Sequence, residues 1–287
     1  MTPEVSRRSF LLGAAAATGA AGLHVPRVLP DAREESRKKY GGFAMGIQSY
    51  SLRGFPFEPA IERVGELGLH WVEFYDAHLE PTEDPVALAA MRRRLERFDL
   101  SISAHGVNRF GDDHEANERL FRFARAAGIP NLSADFGPDA HGSLEKLVAK
   151  YAVRIAAHNH GPGHRWAKVE DLLKQIGGLD PRIGACADLG HFLRAGEDPL
   201  AAIRALKGRL YGIHLKDFAA ARGDAKGCVL GKGVLDVKGA FRALKEVGFP
   251  ADGALSLEYE ENPKDPMADL KESLAAAAEA ARSAAGS

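Results

Sequence analysis

The chain has 287 residues, 45% hydrophobic and 27% charged, with 31 Gly and 15 Pro, a profile that excludes a disordered, collagenous or coiled-coil protein. Lys plus Arg number 38 against 39 Asp plus Glu, so no nucleic-acid partner and no anionic-membrane surface is implied. The two cysteines, Cys186 and Cys228, are too few for a disulfide framework and lack CxxC spacing, which leaves no thiolate metal site and no redox motif.

Residues 1–30 read as an address and not as part of the fold. Ser6-Arg7-Arg8-Ser9-Phe10-Leu11-Leu12 runs into an Ala/Gly-rich apolar stretch ending at Leu23, too short to span a membrane. The arginine pair with Phe and Leu behind it resembles the twin-arginine export signal. That resemblance implies export in the folded state, to the periplasm or otherwise outside the cytoplasm, with metal acquired before departure. Removing the leader with Arg7, Arg8, Arg27 and Glu4 leaves 35 basic against 38 acidic residues, a charge of −3, and no stable membrane span. Residues 31–42 read as a polar linker and 43–287 as the domain. The roughly 255 residues after the leader are close to the ~250 of a typical (β/α)8 barrel.

From Gly42 onward, β-rich runs alternate with amphipathic ones. Strands are expected over 44–51, 71–75, 100–105, 131–136, 154–158, 183–188, 210–216 and 254–260. Helices are expected over 58–67, 86–98, 115–127, 143–151, 169–176, 199–206, 237–247 and 267–284. Strict alternation with short connections predicts the α/β class and a single (β/α)8 TIM barrel. An open doubly wound sheet would carry a Gly-rich phosphate turn after its first strand, where this chain has Gln48-Ser49-Tyr50-Ser51-Leu52-Arg53.

Strand parity separates the outward face from the inward one, because successive side chains point to opposite sides. Leu100, Ile102 and Ala104 oppose Ser101, Ser103 and His105; Tyr211, Ile213 and Leu215 oppose Gly212, His214 and Lys216. Ile183 and Ala187 oppose Gly184, Cys186 and Asp188; Leu255, Leu257 and Tyr259 oppose Ser256, Glu258 and Glu260. With the polar parity inward, Gln48, Glu73, His105, Asp135, His158, Asp188, His214 and Glu258 reach one mouth at the C-terminal ends of the strands. Ionisable groups so gathered are costly to bury unless they pair or bind metal, and barrel active sites form at that end.

The sharpest subset lies on the last four strands: His158, Asp188, His214 and Glu258. Neighbouring strands are ~4.8 Å apart, so four inward side chains can converge on one ion at ~2.0–2.2 Å. Two imidazoles and two carboxylates fit one divalent metal ion, Mn2+, Zn2+, Fe2+ or Co2+ with the first two foremost, better than Mg2+ or Ca2+. His160 or His164 is an alternative ligand from the fifth strand.

At these residues the chain resembles the xylose isomerase-like barrel superfamily of sugar phosphate isomerases and epimerases, which also includes tagatose epimerases, inosose dehydratases and endonuclease IV. The resemblance spans about residues 43 to 284. It rests on Ala157-His158-Asn159-His160-Gly161-Pro162, Asp188-Leu189-Gly190-His191, Gly212-Ile213-His214-Leu215-Lys216-Asp217, Gly231-Lys232-Gly233-Val234-Leu235-Asp236 and Leu257-Glu258-Tyr259-Glu260. It implies that Asp188, His214 and Glu258 are metal ligands, with His158 where the family often has a glutamate. In the epimerases, glutamates on the fifth and eighth strands pass a proton across the substrate carbon, so His158 departs from that pattern.

A metal-held carbonyl needs a nearby base, for which Glu258, His158 and His160 are candidates. His191 is placed to bind a hydroxyl or relay a proton, and Lys216 to neutralise a developing oxyanion or to pair with Glu258, Glu260 or Asp217. Glu73, His105 and Glu260 are candidate substrate binders, and Trp71 or Trp166 a platform for a sugar ring. The expected function is isomerisation or epimerisation of a keto sugar or polyol, a small-molecule carbohydrate. The alternatives are a metal-dependent lyase acting on a 3-keto sugar or glycoside, and a non-catalytic sugar-binding protein. A homo-oligomer stays open.

Overall fold

In the computed structural model, which describes residues 31–285, eight parallel strands close into a barrel. They are β1 (Met45–Gln48), β2 (Trp71–Phe74), β3 (Ser101–Phe110), β4 (Asn131–Phe136), β5 (Arg154–His158), β6 (Ile183–Asp188), β7 (Leu210–Leu215) and β10 (Ala254–Leu257). Sequential strands are neighbours, and β10 pairs with both β7 and β1, Met45 lying opposite Leu255. A short antiparallel ribbon of β8 (Asp217–Phe218) and β9 (Gly227–Cys228) stands on the C-terminal end of β7. The export signal expected over residues 1–30 lies outside the described residues.

The helices begin where short acids can satisfy the first free N–H groups. Asp84, Asp113, Asp198 and Asp236 each accept from the first turn of the helix that follows. Helices 114–127 and 237–247 stop at Gly128 (φ 78°) and Gly248 (φ 68°), the left-handed conformation that glycine adopts without strain. The faces of these helices bury Leu, Ile, Phe and Ala against the outward parity of the strands, including Val72, Ile155, Ile213 and Leu257.

Three departures from expectation have local causes. Residues 31–42, expected as a linker, contain the helix Ala32–Lys39, capped by Asp31 and tied to the barrel by Arg33 on Asp99 and Ser101. Strand β3 runs to Phe110 instead of ending at His105, with a register shift against β4 between His105 and Asn108. A short helix, Leu189–Arg194, follows β6 directly, its first turn bonded by His191 N–H to Asp188 Oδ1 at 2.7 Å.

Candidate metal centre

Four side chains from consecutive strands meet at the C-terminal end of the barrel. One ligand atom each from His158, Asp188, His214 and Glu258 lies within 4.8 Å of all the others, and all four residues are buried. His158 Nε2 is 2.9 Å from His214 Nδ1, which is 3.0 Å from Glu258 Oε2. Asp188 Oδ2 stands 3.9 Å from both imidazole nitrogens. These separations suit ligands on a sphere of about 2.1 Å radius around one ion.

The donor chemistry agrees. Asp188 Oδ2 is buried without a well-aligned hydrogen bond, although Lys216 Nζ is 3.3 Å away. Buried acceptors normally have partners, so the residues present fit an N/O-bound divalent ion.

The groups behind the cluster hold it in register. Glu73 Oε2 faces His214 Nε2 at 3.0 Å and accepts from Ser256 Oγ at 2.8 Å, while its other oxygen accepts from Ser133 Oγ. A carboxylate on the far nitrogen of a ligating imidazole fixes its tautomer and direction. Asn159 clamps the strand end: its Oδ1 accepts from Asp188 N–H at 2.7 Å and its Nδ2 donates to Asp188 O at 3.0 Å.

Glu73 is therefore not a substrate binder: it is fully buried one layer beneath the mouth. His105 is corrected likewise. Its Nε2 meets Leu79 O at 2.9 Å and its Nδ1 meets Asn108 Oδ1 at 3.1 Å, inside the wall of β3. Cys186, set aside as a metal ligand for want of CxxC spacing, nonetheless brings a thiol beside the cluster, and burial pushes that thiol's pKa up. It is completely buried in the inward parity of β6, within 4.8 Å of nitrogens of His158 and His214. A Cβ at Gly212 would come 2.7 Å from its sulfur, so a glycine on β7 makes the room.

Two of the four, His158 and Glu258, line a cleft of about 400 Å3 together with Gln48, Tyr50, Tyr75, His160, His191, Lys216 and Glu260, among others. A larger cavity of about 530 Å3 at the N-terminal end, near Arg37, Trp71 and Ser101, holds none of the clustered imidazoles and carboxylates. The chemistry therefore sits with the first. Trp71 and Trp166, considered as sugar platforms, are 8% and 1% exposed and packed elsewhere. Tyr50, 38% exposed and edge-on to Tyr75 at 5.3 Å, supplies the aromatic wall instead. That role left no periodic signal, because Tyr50 lies in the single 3-10 turn after β1.

Electrostatics set the protonation states. Burial, with His191 and His164 nearby, lowers the His160 pKa to about 4, so its ring is neutral at pH 7. Burial alone would lower Lys216, but Asp188, Glu258 and Glu260 raise it well above the ordinary lysine range. Its ammonium is 2.8 Å from Glu258 Oε2 and also bonds Glu260. Burial would raise Glu258, and Lys216 and His214 outweigh that and hold it ionised. His164 and Asp135 stand aside, 3.9 Å apart, with Arg165 3.1 Å from Asp135.

Asp217, weighed as a partner for Lys216, does something else. Its carboxylate accepts from the N–H groups of Phe218, Gly231, Gly233 and Leu235 at 2.8–3.0 Å, tying the loop after β9 to the end of β7. A Cβ at Gly233 would fall 2.3 Å from Asp217 Oδ1 and from Phe218 O, which is why Gly231-Lys232-Gly233 stands there.

A closed parallel barrel with a buried imidazole–carboxylate cluster at the strand C-termini has the layout of the metal-dependent barrel enzymes. Residues 61–280 match the model of the xylose isomerase-like TIM barrel family, and the chain belongs to that family. Residues 4–24 match the twin-arginine translocation signal, which addresses the chain to that export pathway. The chain is 27% identical over 191 residues to a 3-oxo-isoapionate decarboxylase of Pectobacterium atrosepticum, covering 61% of this chain and 68% of that protein. A crystal structure of an uncharacterised Parabacteroides distasonis protein is similar at 27% identity and TM-score 0.64, over 81% of this chain and 97% of that one. An L-ribulose 3-epimerase shares the fold at 18% identity and TM-score 0.65, over 84% of this chain and 95% of that one.

Proposed function

We propose that the chain is a divalent-metal-dependent enzyme that moves a proton at the carbon beside the carbonyl of a keto sugar or polyol, as an isomerase or epimerase. The observation that carries this reading is the convergence of His158, Asp188, His214 and Glu258 within 4.8 Å, with His158 and Glu258 lining a cleft. Bound there, Mn2+ or Zn2+ supplies Lewis-acid stabilisation of negative charge on a carbonyl oxygen. The chain's own residues do the rest. His160, neutral at pH 7, takes a proton on the β5 side of the cleft, and Glu258 faces the substrate from the β10 side. Lys216 keeps its ammonium beside the carboxylates and offsets charge that develops on the substrate. His191 and Glu260 present polar atoms to hydroxyls.

One observation favours a second reading, a lyase. By the resemblance, His158 stands where the family often has a glutamate, which leaves one carboxylate and not two to face the substrate carbon. Elimination beside a carbonyl needs only one base, and the similar Pectobacterium protein is a decarboxylase by name.

The test is incubation of the metal-loaded protein with keto sugars and glycosides in D2O. Deuterium at the carbon beside the carbonyl with otherwise unchanged mass supports the isomerase, and loss of water or of an aglycone supports the lyase. Absence of both across the panel overturns the enzyme reading. Asp188→Ala and His214→Ala should each abolish stoichiometric metal; full occupancy in both variants overturns the site.

A further inference from the structure

The cleft above the metal-ligand residues does not end at its own wall. A second compartment of about 270 Å3 opens beside it and shares His191, Lys216, Glu258 and Glu260 with the first. The ion pair between buried Lys216 and half-exposed Glu260 stands between the two. The second compartment lies under the β8–β9 ribbon, where Phe218, Cys228, Tyr259 and Glu261 form its walls. Pockets that enclose a drug-sized ligand begin at about 300 Å3. A monosaccharide is smaller than such a ligand, so the first compartment at about 400 Å3 already accommodates it and the second is additional room.

The lining says what kind of group fits. Phe218, 7% exposed, has the His191 ring 6.2 Å away and the Arg194 guanidinium 5.2 Å from its ring centre, so it packs as part of the wall and the groups left open to the compartment are largely polar. Glu261 uses one oxygen on Gly227 N–H at 3.1 Å, leaving the other as an acceptor, and the Lys226 ammonium has no partner among the described residues. A compartment lined by such donors and acceptors suits a second hydroxyl-bearing unit.

The charges present do not favour an anionic substrate, because in the second compartment the Lys226 ammonium is offset by the Glu261 carboxylate. Lys216 is committed to Asp188, Glu258 and Glu260, and Arg194 donates twice to Gly223 O at 2.7 and 3.0 Å. Among the described residues no guanidinium lines the first compartment to clamp a phosphate, while Asp76 and Glu260 add negative charge to its rim.

We propose that the site takes an uncharged two-unit sugar, a keto disaccharide or glycoside, with the reacting sugar against the metal-ligand residues and the second unit under the β8–β9 ribbon. This rests on the reading of the first compartment as a sugar site. The test is calorimetric titration of the full chain, loaded with Mn2+, with fructose, lactulose and fructose 6-phosphate, together with alkylation of Cys228 by iodoacetamide. Cys186 is fully buried, so Cys228, half-buried in the second compartment, is the thiol the reagent reaches.

Lactulose is expected to bind at least tenfold more tightly than fructose and to slow alkylation of Cys228, which fructose leaves unchanged. Fructose 6-phosphate is expected to bind no better than fructose. Cys228→Trp should fill the compartment and cancel the lactulose advantage while fructose binding and metal content stay as they were. Equal binding of lactulose and fructose with no protection of Cys228 overturns the second compartment and leaves the sugar site standing. Binding of none of the three overturns both. Tighter binding of the phosphate overturns the uncharged substrate class.

Discussion

His214 is held from both sides of its ring, by Glu258 at Nδ1 and by Glu73 at Nε2, each at 3.0 Å. Because the second contact aims the first, Glu73→Gln should lower metal affinity by about 10–100-fold without touching the cleft; equilibrium dialysis with unchanged affinity would remove that role. Away from the centre, His78 and His105 are both kept neutral chiefly by burial, their pKa values lowered. Their unfolded counterparts take up protons near pH 6.5, which the folded chain refuses until a lower pH. Stability from these groups is therefore present above about 6.5 and lost as pH falls below it. The melting temperature should drop between pH 7 and pH 5, and His78→Gln, which retains a donor for Phe55 O, should flatten that drop; an unaltered slope would contradict the assignment.

At the scale of strands and loops, parity was readable in advance and depth was not. The alternation in β6, β7 and β10 put Asp188, His214 and Glu258 inward, and they meet there. Alternation does not say how far along the barrel axis an inward residue sits. Glu73 shares the inward face yet lies beneath the cluster, Cys186 lies two residues short of Asp188, and a register shift against β2 between Ile102 and Ala104 turns His105 into the wall. The ribbon escaped notice because strands of two residues carry no periodicity. Its anchor is testable. Asp217→Ala would strip four backbone N–H groups of their acceptor, at a cost of about 3 kcal/mol allowing for partial solvation. That corresponds to a fall of roughly 6–12 °C in Tm for a chain of this size; a loss under 1 °C would show that the loop holds without it.

For the whole molecule, the leader and the barrel impose separate requirements. Arg7→Lys combined with Arg8→Lys should leave the protein in the cytoplasm, read by fractionation, and unchanged export would refute dependence on the pair. The barrel adds a constraint of timing. Its seam joins Met45 to Leu255 and Ile47 to Leu257, so the opening strand has no partner on that side until the final strand has left the ribosome. Glu258, held by its N–H on Leu215 O at 3.0 Å, arrives with that final strand. The four-residue cluster is thus completed only when the final strand pairs. A chain interrupted before residue 258 carries an intact export address in front of a cluster that lacks one of its four members. The complete donor set proposed for an ion therefore exists only in a chain whose final strand has paired before it leaves the compartment where it was made.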